Sequence, residues 1–151
     1  MTDPQETARR LVETNRYLTL ATADADGRPW ASPVWYAPVG DAAFLWVSDP
    51  EARHSRNIAA RPEVALVIFD STVPEGGAEA LYCDAVAEQL SGSALDEGIA
   101  AFSQHSEAGG VKAWGLDDVS PPARHRLYRA TVTSSSVLGP GDRRLPVSPR
   151  T

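Results

Sequence analysis

The chain concentrates anion-binding side chains just after residue 47. Ser48 ends an apolar β-type segment, and Arg53 and His54 follow an Asp-Pro pair that is typical of a helix start. A helix N-terminus offers unpaired N–H groups and a partial positive charge, and arginine adds a planar fork of donors that suits phosphate oxygens. The segment therefore predicts a phosphate-binding site at the start of a short helix, with the Ser48 hydroxyl as a further donor.

Apolar residues surround this predicted site in the sequence. The second predicted strand supplies Trp35 and the third supplies Trp46 and Val47, against which a flat heterocycle can lie. Trp35 and Trp46 have the alternative role of core residues. Asn57 either caps a turn or contacts phosphate, and Trp114 either covers a ligand or anchors its own loop. A phosphate clamp beside a planar apolar slot is typical of a site for a mononucleotide-type cofactor.

The hydrophobic pattern predicts the elements that position these residues. Asp3 and Pro4 begin a helix that runs to about residue 14, Asp49 caps a second helix over about 50–60, and Ser93 starts a third. We expect strands at about 17–22, 30–39, 43–48, 64–72, 78–90 and 124–137. Short turns imply antiparallel pairing, so the expected fold is mainly β with short helices: a six-stranded antiparallel closed or split barrel.

Length and composition set outer limits. The 151 residues suffice for one domain, and a single cysteine, Cys83, excludes an intramolecular disulfide and a multi-cysteine zinc site. His105 and His125 lack partners at ligand spacing, so no metal is expected. The longest apolar run, 64–69, is too short to span a bilayer, and no secretory signal is visible. We therefore expect a cytoplasmic protein without membrane partners.

Charge is distributed unevenly along the chain. The formal net charge is −6, from 14 basic and 20 acidic residues. Residues 119–151 hold six arginines and one acid, for a charge of +5, so residues 1–118 carry −11. A duplex-binding protein normally has a broad basic face, so no nucleic-acid partner is expected. Small positive islands on an acidic body suit a compact anionic ligand better.

Four segments together resemble the pyridoxamine 5′-phosphate oxidase-related family of FMN-binding split barrels. They are TLATADADGRPWASPVWY, FLWVSDPEARHSRNIAARPEVALVIFD, AVAEQL and RLYRATVT, and the likeness covers about residues 5–137. The resemblance implies one flavin-binding domain over residues 1–137 and a homodimer with two FMN sites at the subunit interface. The sequence pattern predicts an irregular tail over 138–151, and the single domain favours a small-molecule substrate.

The resemblance also assigns residues to the cofactor. Its phosphate-binding basic pair falls on Arg53 and His54, and its other contacts fall on two strands. With Asn57 and the loop tryptophan, the predicted cofactor-binding residues are Ser32, Pro33, Val34, Trp35, Val47, Ser48, Arg53, His54, Asn57 and Trp114. The flavin ring carries the electrons, so no acid or base is nominated and the catalytic residues are left unassigned.

Departures from the oxidase pattern keep alternatives open. The oxidase has a basic residue at Ser32, lysines near Ala37 and at His54, and a glutamine near Ala80. Vitamin B6 oxidation is therefore not the expected reaction. The working hypothesis is an FMN-dependent oxidoreductase. The alternatives are a deazaflavin (F420)-dependent reductase, in which the Arg-rich residues 119–151 bind a longer anionic tail, and a non-catalytic flavin- or haem-binding protein.

Overall fold

A computed structural model describes residues 2–148 of the protein. Its three helices are α1 Pro4–Thr14, α2 Arg53–Ala60 and α3 Gly92–Ala108. The strands are β1 Tyr17–Ala23, β2 Pro29–Trp35, β3 Ala37–Val39, β4 Ala43–Ser48, β5 Glu63–Phe69, β6 Ala80–Gln89, β7 Arg126–Leu138 and β8 Arg144–Val147. Short 3₁₀ turns lie at Leu116–Asp118 and Pro140–Asp142.

One antiparallel sheet curls into a half-barrel. Its strand order is β2-β1-β5-β6-β7-β4-β3, with β8 added beside β7. Strands β2 and β3, which both contain proline, lie at the two ends of this order, where a missing N–H costs no ladder hydrogen bond. The predicted mainly β, antiparallel split-barrel class is confirmed.

Side-chain alternation separates the inner face of the barrel from the outer face. On β1, Leu18 and Leu20 are fully buried inside, while Tyr17 points outward and is exposed. Trp46 and Tyr128 stack inside the barrel with ring centroids 6.0 Å apart. A second apolar cluster lies outside, where α3 packs Phe102 and its neighbours against β3, β4 and β7.

The junction between β2 and β3 differs from the single strand expected over 30–39. Tyr36 interrupts that strand because its backbone N–H donates to the Arg16 carbonyl. Its buried hydroxyl donates to the carbonyls of Val12 and Asn15, at 2.7 and 3.0 Å. The chain thus passes at Tyr36 from pairing with β1 to pairing with β4, at the two opposite ends of the sheet.

Two further boundaries were predicted wrongly. Asp49 caps a turn and not a helix, since its carboxylate accepts the Glu51 N–H at 2.9 Å and its carbonyl accepts the Ala52 N–H at 3.0 Å. Helix α2 therefore begins only at Arg53. The tail beyond 137 is not wholly irregular: β8 pairs with the end of β7, and Gln5 exchanges two hydrogen bonds with the backbone of Ser148.

None of the helices within residues 2–148 has both the length and the apolar character needed to cross a bilayer.

Candidate functional site: an anion cradle beside an aromatic groove

Helix α2 lies across one end of the half-barrel and is held there by polar contacts. The buried Asn57 amide donates to the hydroxyl of Thr22 on β1 at 3.0 Å. Farther along, Arg61 donates to the carbonyl of Ala25 in the β1–β2 turn at 3.1 Å. These contacts hold α2 against β1 and the β1–β2 turn.

The first turn of α2 has no side-chain cap within the described chain. Its N-cap residue is Ala52, whose methyl group cannot accept the free N–H groups that follow it. Serine, threonine, aspartate and asparagine are favoured at this position, and alanine is strongly disfavoured. The donors of the first turn and the positive end of the helix dipole are therefore available to an external anion. We call this turn, with Ser48 and the side chains of Arg53 and His54, the anion cradle.

Ser48 and His54 form a hydrogen-bonded pair inside the cradle. Ser48 Oγ lies 2.9 Å from His54 Nε2, and the donor depends on the imidazole tautomer. If Ser48 donates, His54 keeps its Nδ1–H; if His54 donates, Ser48 keeps its O–H. Either tautomer leaves one donor for a ligand. Burial lowers the pKa of His54 below its ordinary 6.5, so the neutral imidazole predominates at pH 7.

Arg53 supplies the positive charge of the cradle. Its side chain is exposed, and none of the ion pairs within residues 2–148 includes it. The guanidinium carbon lies 4.2 Å from the centroid of the Trp30 ring. The charge of Arg53 also helps to lower the pKa of Asp24, although the hydrogen bond from the Arg28 amide is the larger cause.

A groove lined by aromatic side chains lies on the outer face, next to the end of β4. It has a volume of about 410 Å³ and is lined by Tyr17, Trp35, Val47, Phe102, Ser106, Val111, Trp114 and His125. Phe102 is buried at its base, and both tryptophans pack edge-on against it, with centroid separations of 5.4 and 5.5 Å. We call this the aromatic groove.

Strand β4 connects the two features. Val47 lines the groove on the outer face, and the next residue, Ser48, belongs to the cradle on the inner face. Successive side chains of a strand point to opposite faces, so the end of β4 is shared by an anion-binding corner and an apolar slot. A ligand with an anionic end and a flat ring matches this combination.

The structure divides the residues predicted from sequence into three groups. Ser48, Arg53 and His54 meet in the cradle, whereas Trp35, Val47 and Trp114 meet in the groove. The third group comprises residues that the structure brings to neither feature. Val34 is buried in the barrel core, Asn57 is buried where α2 meets β1, and Ser32 and Pro33 of β2 pair with Leu20 and Thr19 of β1.

Sequence reasoning missed four residues at the site. Trp30 was not assigned, although the pairing of β1 with β2 places it opposite Thr22, close to α2. Phe102 was not assigned to the site, and Tyr17 was predicted only as a strand residue. His125 had no ligand-spaced neighbour in the sequence, and only the tertiary fold brings it to the groove.

The Arg-rich C-terminal region is largely occupied by contacts within the chain. Arg124 pairs with Asp49, Arg129 pairs with Glu88 at 3.1 Å, and Arg126 donates to two backbone carbonyls. Arg144 lies over the ring of Tyr82, at 3.7 Å from its centroid. Arg150 lies outside the described residues. These contacts leave few of the six arginines for a long anionic ligand.

Residues 4–136 match the family model described as pyridoxamine 5′-phosphate oxidase, and the chain belongs to this family. Among curated relatives, the pyridoxine/pyridoxamine 5′-phosphate oxidase of Burkholderia multivorans is 40% identical over 62 residues. That alignment covers 41% of this chain but only 28% of the relative, so the chain matches well under a third of that enzyme's length.

Solved structures share the fold over most of the chain. A haem-binding protein from Mycobacterium smegmatis superposes with a TM-score of 0.75 at 23% identity, covering 98% of this chain and 59% of that protein. An F420 reductase superposes with a TM-score of 0.62 at 22% identity, covering 85% of this chain and 94% of that protein. At these identities the likeness establishes the split-barrel fold, and the chemistry has to be argued from the site.

Proposed function

We propose that the protein binds FMN and acts as a flavin-dependent oxidoreductase on a small substrate. The observation that carries the proposal is the uncapped start of α2 with Arg53 and the Ser48–His54 pair, together with the aromatic groove, which reaches Val47, the residue before Ser48 on β4. Membership of the pyridoxamine 5′-phosphate oxidase family supports the same cofactor class. When bound, the isoalloxazine ring supplies the hydride- and electron-transfer chemistry.

The chain's own residues fit the two ends of this cofactor. In the cradle, Arg53 offers charge and in-plane N–H donors to the phosphate, and the Ser48–His54 pair offers one further donor. In the groove, Trp35 and Trp114 offer apolar surface that excludes water from a flat ring. The single arginine charge predicts weaker phosphate binding than a site with several cations would give.

The substrate of this proposal is not a vitamin B6 compound. Ala37 and Ala80, near positions where the oxidase has polar side chains, are both buried in this chain and present no polar group. His125, Tyr17 and the buried Ser106 supply polar side chains to the groove lining. We place the reaction in the cytoplasm, because the buried free thiol of Cys83 needs no oxidising compartment.

The proposal includes a homodimer. The outer face of β1, β5, β6 and β7 forms a concavity of about 480 Å³ whose lining includes Ala65, Val67 and Tyr82. Phe69 and Val86 on the same face are exposed by 48% and 41%. Covering these apolar side chains with a second copy removes them from water, which is the general driving force for such association.

Two other cofactors define the alternatives. The F420 alternative needs cations for a long anionic tail, and the internal contacts of Arg124, Arg126, Arg129 and Arg144 count against it. The haem alternative needs an axial ligand, for which His125 in the groove is the candidate. The uncapped helix and Arg53 favour a ligand with a terminal phosphate.

The absorption spectrum of the purified protein tests the proposal. We expect a yellow protein, or a colourless one that becomes yellow after incubation with FMN and gel filtration. The chromophore should be released by denaturation and should contain phosphate. A Soret band in place of the flavin bands, or retention of F420 but not FMN, would replace the proposal with one of the alternatives.

A further inference from the structure

Trp30 is the direct neighbour of the cation in the anion cradle. It is the second residue of β2, and its ring lies under the Arg53 guanidinium with a separation of 4.2 Å. Trp30 is 40% exposed and belongs to neither of the two apolar clusters of the described chain.

Stacking on an aromatic ring and pairing with a carboxylate leave different numbers of guanidinium N–H donors free. A carboxylate consumes the N–H donors of a guanidinium, as Glu79 does for Arg10 at 2.7 Å. An aromatic face contacts the guanidinium plane and leaves its in-plane donors free. Trp30 therefore restricts the position of Arg53 without using the groups that bind an anion.

Asp24, whose pKa the charge of Arg53 helps to lower, is engaged in other hydrogen bonds. Asp24 Oδ1 accepts the backbone N–H groups of Asp26 and Arg28, both at 2.9 Å. No ion pair joins Asp24 to Arg53 in the chain from residue 2 to 148. The stacked Arg53 is thus kept available and is not neutralised by its neighbour.

We propose that Trp30 is a positioning residue that holds Arg53 ready for the terminal phosphate of the bound cofactor. This inference rests on the proposed function and adds a residue to its site. A free arginine side chain loses rotational freedom when it binds an anion, and a stacked one has already lost part of it. Trp30 should therefore raise affinity for the phosphate and leave affinity for the ring unchanged.

The test compares FMN with riboflavin, which has the same ring system without the phosphate. Both ligands are titrated into the wild-type chain, Trp30→Ala, Trp30→Phe, Arg53→Ala and the double alanine variant, and flavin fluorescence is followed. We expect Trp30→Ala to weaken FMN binding by about three- to fivefold and riboflavin binding by less than about twofold. Trp30→Phe should recover most of the loss, and the double variant should bind FMN no more weakly than Arg53→Ala alone.

The outcomes separate this inference from the proposed function. Wild-type FMN affinity in Trp30→Ala, together with weakened binding in Arg53→Ala, would overturn the role of Trp30 and leave the phosphate site standing. Equal losses for FMN and riboflavin in Trp30→Ala would also overturn it, because they indicate a general effect on the fold or the ring. A wild-type chain that binds neither flavin would overturn the proposed function itself.

Discussion

Ser48 Oγ and His54 Nε2 lie 2.9 Å apart, and this contact connects the end of β4 to the first turn of α2. The contact joins two elements that approach each other only at one end of the half-barrel. It also places a half-buried imidazole at a helix start, where a positive charge is unfavourable. A neutral histidine is therefore the form suited to this position, in agreement with its lowered pKa.

His54 should make stability depend on pH. Because its pKa is lower in the folded chain than the ordinary 6.5 of the unfolded chain, the unfolded chain takes up the proton first as the pH falls. The free energy of unfolding should therefore decrease as the pH falls from about 7 through 6.5 towards the lower folded pKa. Urea unfolding of His54→Gln should lack this decrease, while the exposed-site control His125→Gln should keep it. If the free energy of unfolding of His54→Gln fell with pH as steeply as that of the wild-type chain, His54 would not be the group responsible.

Trp114→Ala should weaken binding of the flavin ring. The side chain forms a wall of the aromatic groove and packs edge-on against Phe102. We expect the variant to lose about 1 kcal/mol of binding free energy for both FMN and riboflavin, because both contain the ring. Calorimetric titration with the two ligands measures it. A loss confined to FMN would place Trp114 at the phosphate and not at the ring.

Asn57→Ala should act on stability and not on the phosphate. The amide is buried and donates to the Thr22 hydroxyl, so its removal leaves that hydroxyl without this partner. We expect a loss of about 1–3 kcal/mol in the free energy of unfolding, with an unchanged ratio of FMN to riboflavin affinity. Thr22→Val is the matched control, and its effect should not add fully to that of Asn57→Ala. A changed affinity ratio at unchanged stability would return Asn57 to the binding site.

Tyr36→Phe should weaken the junction that closes the half-barrel. The hydroxyl donates to two carbonyls at the end of α1 and is buried with its ring. Removal of the hydroxyl should lower the free energy of unfolding by about 1–2 kcal/mol, which chemical denaturation measures. Tyr17→Phe removes an exposed hydroxyl and should change stability by less than about 0.5 kcal/mol. Equal effects of the two substitutions would contradict the role given to the Tyr36 hydroxyl.

The sequence predicted the fold class well because period-two alternation and turn residues are local signals. The interruption at Tyr36 was missed because it depends on the hydrogen bond to Arg16 and on contacts with Val12 and Asn15, which are distant in the chain. Strand β8 was missed because four residues that include a proline carry almost no periodic signal.

For the candidate site too, local patterns were readable from the sequence and long-range contacts were not. The spacing of Ser48, Arg53 and His54 locates a helix start after a strand, which is a local pattern. Placing Val34 in the core and Trp30 beside α2 depends on the register of β2 against β1. That register decides which face of the sheet each side chain occupies, and it does not follow from composition. The apolar groove required the packing of α3 on the outer face, a tertiary contact.

The comparison of FMN with riboflavin on Arg53→Ala tests the central claim most directly. Arg53 is the charged member of the cradle, so its removal should cost FMN about 1.5–3 kcal/mol of binding free energy and leave riboflavin binding unchanged. Isothermal titration of the wild-type chain and the variant with both ligands measures the difference. A preference for FMN that survives Arg53→Ala in full would contradict the account, because the phosphate would then be held elsewhere.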